Sequence, residues 1–206
     1  MANGRRFRPS CSILSAVAIL TSVGTLSSFA AEQPKATTAA VETQADEPLS
    51  DDELEQLVAR IALYPDELVA AICEAALVPV QIVEAERFLE KRAQDSSLKP
   101  KDTWDGSVIS LLNYPEVVKM MSDDLEWTQA LGDALTDQQK DVLRAIQQLR
   151  DEAVAKEIIK TDDKIKVVEQ GDNIVIQPVA ADTIYVPRYD PQVLYVDNYP
   201  PAPIEY

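Results

Sequence analysis

Apolar positions recur at helical spacing through the middle of the chain and at every second position near its end, with the change falling near Lys160. Ser50-Asp51-Asp52-Glu53 sets a hydroxyl three residues ahead of a carboxylate, the arrangement of a capping box. Leu54, Leu57, Val58 and Ile61 follow on one stripe. The pattern therefore predicts a helix from Ser50 that ends at Tyr64-Pro65, because proline pushes the preceding residue out of the helical region. A second helix is predicted over about Pro65 to Leu77, with Leu68, Ile72 and Ala76 on one face and Asp66 and Glu67 near its positive end. Pro79 suits the first turn of a third helix carrying Ile82, Val83, Glu86, Phe88 and Leu89. After a polar connection from Gln94 to Lys101, Trp104-Asp105-Gly106 opens a short helix through Leu112, which a second Tyr-Pro pair, Tyr114-Pro115, interrupts. Segments Glu116 to Met121 and Asp124 to Leu131 are predicted to be helical, and the longest helix to begin near Thr136. There Val142, Ile146, Leu149 and Ala153 form a seam for a neighbouring helix.

Beyond Lys160, Ile165-Lys166-Val167 and Ile174-Val175-Ile176 flank Gln170-Gly171-Asp172-Asn173, a hairpin signal. Ile184-Tyr185-Val186 and Val193-Leu194-Tyr195-Val196 read as two further short extended runs around Pro187 and Pro191. The expected class is α+β with segregated elements: a multi-helix bundle over 50–160 and a β-rich segment over 161–198 packed on it. A proline-rich tail over 199–206 is expected to fray.

Ahead of the bundle the chain reads as an address. Arg5, Arg6 and Arg8 precede a mostly apolar run from Ile13, and Ser28-Phe29-Ala30 supplies the small residues that signal peptidase requires, so residues 1–30 are predicted to be a cleaved signal. The run carries Ser15, Thr21, Ser22, Gly24 and Thr25, which disfavours a permanent membrane span. Residues 31–49, rich in Ala, Thr, Glu and Pro, are expected to be a disordered linker. The expected location is the periplasm or cell envelope, with no membrane span once the signal is removed. Cleavage removes Arg5, Arg6 and Arg8 and no acid, taking the net charge from −16 to −19. Cys11 leaves with the signal, so Cys73 could link two copies but could not close an internal disulfide.

Composition narrows the chemistry. The 206 residues include no histidine, which excludes a Ser-His-Asp or Cys-His pair and His-ligated zinc. Two cysteines exclude a Cys₄ zinc site or a cysteine-held iron–sulfur cluster. With 35 acidic against 19 basic residues, nucleic acid is not an expected partner. No calcium-loop pattern and no phosphate-cradling glycine loop occur, so neither a metal nor a cofactor is expected.

Ile61-Ala62-Leu63-Tyr64-Pro65-Asp66, Val83-Glu84-Ala85-Glu86-Arg87, Trp104-Asp105, the run Asp123 to Gly132 (DDLEWTQALG) and the run Ile184 to Pro191 (IYVPRYDP) together resemble an uncharacterised family of exported bacterial proteins, number thirty-three hundred among the domains of unknown function. The resemblance covers about 50–196. It implies a periplasmic or surface protein and carries no catalytic or binding residues with it.

Carboxylates are the only plentiful reactive groups. Asp123, Asp124 and Glu126 beside Trp127 invite comparison with glycosidase acid–base pairs, but neighbours in sequence do not face each other on a helix. The bland reading is that Asp123 caps a helix and Asp105 caps another, with Trp104 as a core anchor. Ser96-Ser97-Leu98-Lys99 matches a serine–lysine motif in letters alone, since it stands in a polar connection without partner motifs. Cys73 fits a small core residue. Five of the seven tyrosines, Tyr185, Tyr189, Tyr195, Tyr199 and Tyr206, fall among the terminal prolines. Tyrosine offers contact area at low entropic cost together with a hydroxyl, so Tyr185, Tyr189, Tyr195 and Tyr199 are the candidate contact surface for an envelope protein or glycan. The competing reading is that Tyr185, Tyr189 and Tyr195 fasten the tail to the bundle. The function expected is a non-catalytic interaction or scaffold module, with a carboxylate-dependent hydrolase of envelope glycan or peptide as the alternative.

Overall fold

A computed structural model of the chain describes residues 47–180, 183–200 and 202–206. The predicted signal over 1–30 and the linker up to residue 46 lie outside the described residues. The body is α+β. Helices α1 (Asp51–Val58), α2 (Asp66–Ala76), α3 (Pro79–Arg92), α4 (Gly106–Leu111), α5 (Pro115–Asp123), α6 (Leu125–Asp137) and α7 (Gln139–Ala155) come first. An antiparallel hairpin of β1 (Ile165–Gln170) and β2 (Asn173–Pro178) and a short α8 (Gln192–Tyr195) follow.

Local chemistry sets the ends of these helices. The Ser50 side chain accepts from the Glu53 N–H while the Glu53 carboxylate takes the Ser50 N–H, completing the capping box. Asp105 caps α4 by accepting from the Ser107 N–H at 2.8 Å. Asp124, rather than Asp123, caps α6 by accepting from the Trp127 N–H, and Asp123 instead pairs with Lys119 one turn back on α5. The longest helix begins at Gln139 and not near Thr136, because α6 runs on to Asp137 and the backbone breaks at Gln138. The side-chain amide of Gln138 then takes the N–H and the C=O of Leu49, so the end of the predicted linker is held against the bundle.

The predicted seam is real: Val142, Ile146, Leu149 and Ala153 are all buried, and α7 packs on α1 and α6. Helix α2 lies against α4 and α6. It meets α6 tightly at Gly132, where a Cβ would stand 2.5 Å from the Ala76 carbonyl oxygen, so glycine there is a matter of space. The hairpin turns on Gly171, whose φ of +63° suits a residue without Cβ, and pairs Gln170 with Asn173. Its inward residues Ile165, Ile174 and Ile176 join one continuous core with Leu54, Leu68, Ile72 and Leu131.

The last stretch departs from the extended form expected of it. Val193 to Tyr195 are helical, because the Asp190 carboxylate takes the Gln192 N–H and Pro191 sets the first turn. Ile184 to Val186 join no ladder, and the nearest pairing is the isolated bridge of Arg188 with Glu205. The described residues of the terminal tail are held and not frayed: Glu205 exchanges two backbone hydrogen bonds with Arg188, and the Tyr206 hydroxyl donates to Asp162 at 3.1 Å.

Candidate contact surface and the clamps behind it

The motif segments meet in space, and many of their side chains bind the bundle or one another. Arg150, on α7, is 2% exposed. Its guanidinium donates to the carbonyls of Ala62 at 2.7 Å, Tyr64 at 3.0 Å and Ile174 at 2.9 Å, and to the Asp66 carboxylate at 2.6 Å. One buried cation thus ties the Tyr64-Pro65 corner to α7 and to β2, with its charge compensated and four of its five N–H donors engaged. The Tyr189 hydroxyl closes the same corner from the tail, donating to the Ala59 carbonyl at 2.7 Å and accepting from the Leu63 N–H at 3.2 Å. Its ring stands edge-on to Tyr64, and burial holds its phenol far above the ordinary range.

The two tryptophans behave alike. Trp104 packs edge-on against Phe88, and its indole N–H donates to Glu84 at 2.9 Å, which joins two of the short motifs. Trp127 donates to the Leu57 carbonyl at 2.8 Å beneath the Arg60 guanidinium, and Arg60 pairs with Asp124 at 2.7 Å. The Trp127 N–H and the Arg60 charge hold the Asp124 carboxyl below its usual range. Thr128, fully buried, donates to the Met121 carbonyl at 2.7 Å. The two Tyr-Pro corners are built differently: α2 has Pro65 as its cap, whereas α5 takes Pro115 as its first residue.

The predicted contact tyrosines are therefore sorted. Tyr189 faces inward as a fastening, whereas Tyr185 and Tyr195 are exposed and Tyr199 is partly buried against the core. Tyr185 is 39% exposed and meets Tyr206 edge-on, with the Lys164 ammonium over both rings at 6.0 and 4.9 Å. Tyr195 is 36% exposed, and the Tyr199 hydroxyl beside it donates to Asp190. No hydrogen bond or ring contact joins these two groups, so they form two patches. Lys164 and Tyr206 complete the first patch and carry no motif signal of their own in the sequence.

A groove of about 830 Å³ runs between α2, α7 and the hairpin turn, lined by apolar Val69, Ala70, Leu143 and Ile146 and by charged Glu74, Lys140, Asp151 and Asp172 among others. Cys73 lies in its wall, half-buried, with burial first and then the neighbouring Glu74 charge pushing its thiol up to about 11. Among the described residues no cluster of three or more His, Cys, Asp or Glu side chains is placed to hold a metal. No single described helix is long and apolar enough to cross a membrane. The bent pair α2 and α3, turned by 112°, passes on length and composition together, but α2 sits in the core.

Fold and surface define a small α+β domain whose tail is fastened across a helical bundle. The chain belongs to the family described as Protein of unknown function (DUF3300), whose model matches residues 50–206. It is also similar to the uncharacterized protein YacH of Escherichia coli (strain K12), at 27% identity over 198 residues, which is 74% of this chain and 31% of that relative. The chain thus spans about a third of the length of the curated relative it matches. No solved structure matches the chain.

Proposed function

We propose that the chain is an exported periplasmic or envelope protein that acts as a non-catalytic interaction module, with the tail patches of Tyr185 and of Tyr195 with Tyr199 as its contact surface for an envelope protein or glycan. The observation that carries this reading is the division of the tail's aromatics: Tyr189 is turned inward, while Tyr185 and Tyr195 keep more than a third of their surface open beside polar partners. The carboxyls favour the same side. Seven are held down by hydrogen bonds and nearby cations, among them Glu53, Asp105 and Asp124. Glu55 is pushed up, by burial and by the charges of Glu152, Asp52 and Asp51, and it lines none of the three cavities described. A hydrolase of the retaining or inverting kind needs a raised carboxyl inside a cleft, opposite a second one.

Two measurements test the reading. Intact mass of the protein from a fractionated envelope should show a chain beginning at Ala31; a full-length mass in the cytosol would contradict export. A photoreactive phenylalanine placed at Tyr195 should give one discrete adduct in cells that is absent when the probe sits at Val80, which is exposed on α3. Equal labelling from both positions would contradict the assignment of the surface.

A further inference from the structure

A smaller cavity, of about 360 Å³, lies where the tail meets the bundle, between the Arg60–Tyr64 corner, the start of α5 and the stretch from Val186 to Pro191. Its volume is at the low end of the range for small-molecule sites. Five polar side chains line it: Arg60, Tyr64, Glu116, Arg188 and Tyr189, the last with its hydroxyl already engaged by Ala59 and Leu63. The Arg188 guanidinium makes no ion pair or hydrogen bond among the described residues, and only its backbone is engaged, with Glu205. Glu116 is exposed and is likewise without an ion pair among the described residues. Arg60 is already held by Asp124 at 2.7 Å and adds charge from the side.

Tyr64 carries the argument further. It is only 7% exposed, with its ring fixed edge-on against Tyr189, yet its hydroxyl finds no acceptor among the described residues. No fully occluded side-chain polar atom among those residues lacks a partner, so this hydroxyl opens onto the cavity that Tyr64 lines. A phenol buried to this degree ordinarily has a partner of its own. Burial first, and the facing Glu116 charge second, push it up to about 12, so it stays a neutral donor.

One small pocket thus presents an unpaired guanidinium, a phenol donor and an unpaired carboxylate around an apolar floor of Val117 and Met120. An ligand carrying only negative charge would meet Glu116, and one carrying only positive charge would meet two guanidiniums. We propose that this pocket binds a small zwitterion of the amino-acid class, with its carboxylate on Arg188 and the Tyr64 hydroxyl, its ammonium on Glu116 and its apolar body on Val117 and Met120. The assignment is independent of the tail patches and holds whether or not they bind a partner.

The test is an amide-shift titration of the full chain with glycine, leucine and phenylalanine, and with N-acetylleucine and leucinamide as analogues lacking one charge each. At least one of the three amino acids should give saturable shifts at Val117 and Arg188, in the millimolar range expected of so small a ligand. Both leucine analogues should bind more weakly than leucine, and Arg188→Gln and Glu116→Gln should each weaken binding by roughly tenfold or more. Tyr64→Phe should weaken binding while leaving the urea midpoint in place, since its hydroxyl supports no bond within the fold. Absence of saturable shifts with all three amino acids would overturn the proposal. So would N-acetylleucine binding as well as leucine, or unchanged affinity in Arg188→Gln and Glu116→Gln.

Discussion

Arg150 concentrates more of the fold in one side chain than any other described residue. Its donors satisfy three carbonyls from two distant segments as well as the Asp66 carboxylate, and replacing it strips those carbonyls of the donor while the half-exposed Asp66 keeps the Ile176 N–H. Arg150→Ala leaves those three carbonyls unsatisfied and should lower the free energy of unfolding by about 3–5 kcal/mol, read from urea denaturation. Tyr189→Phe is a milder cut. It keeps the ring and removes the bonds to Ala59 and Leu63, so a loss of about 1–3 kcal/mol is expected in the same measurement. The sequence did not disclose Arg150, because a single arginine among the polar positions of an amphipathic helix looks solvent-facing and its partners lie 84 to 88 residues back and 24 residues on. Tyr189 was visible as one tyrosine among five, without sign of its direction. Cys73 came out on a groove wall because its face of α2 borders the gap to α7.

Among the elements, legibility followed the range of the forces. Ser50 and Asp105 act within three residues, and both caps could be read from spacing alone. The hairpin was also local, set by Gly171 and the alternation on either side. The helix at Gln192–Tyr195 was not read, since Val193, Tyr195 and Val196 are strand-formers by composition and the turn chemistry of Asp190 and Pro191 outweighs them. The crossing of α2 and α6 depends on a contact that no periodicity reveals, the Gly132 backbone against the Ala76 carbonyl. Gly132→Ala has nowhere to put its methyl group without parting the helices, and about 1–3 kcal/mol of destabilisation should follow in urea. An unchanged midpoint would mean that the two helices separate freely.

For the whole molecule, buried phenols make stability depend on alkaline pH. Tyr64 and Tyr189 both titrate higher in the fold than the ordinary value of about 10, and Tyr206, half-buried over Asp162, does so too. A group raised in this way contributes stability that is complete below its unfolded pKa and is lost as pH climbs toward its folded one, because the unfolded chain releases the proton first. The urea midpoint should therefore hold steady to about pH 9 and fall above about pH 10, and Tyr189→Phe should flatten that fall. The architecture as a class, bundle then hairpin, was legible because periodicity alone marks it. The sorting of the tail into one fastening and two open patches was not, since it depends on where the bundle offers the Ala59 carbonyl and the Leu63 N–H. That division separates a role in folding from the proposed role in contact, and it can be measured directly. Tyr185 and Tyr195 should be replaced together by alanine in the full chain, and both the urea midpoint and the adduct from a photoreactive residue at Tyr199 recorded. The account predicts a free energy of unfolding, from the urea curve, within about 1 kcal/mol of the parent protein and an adduct that disappears. A retained adduct, or a collapse in stability of the size expected for Arg150→Ala, would contradict it.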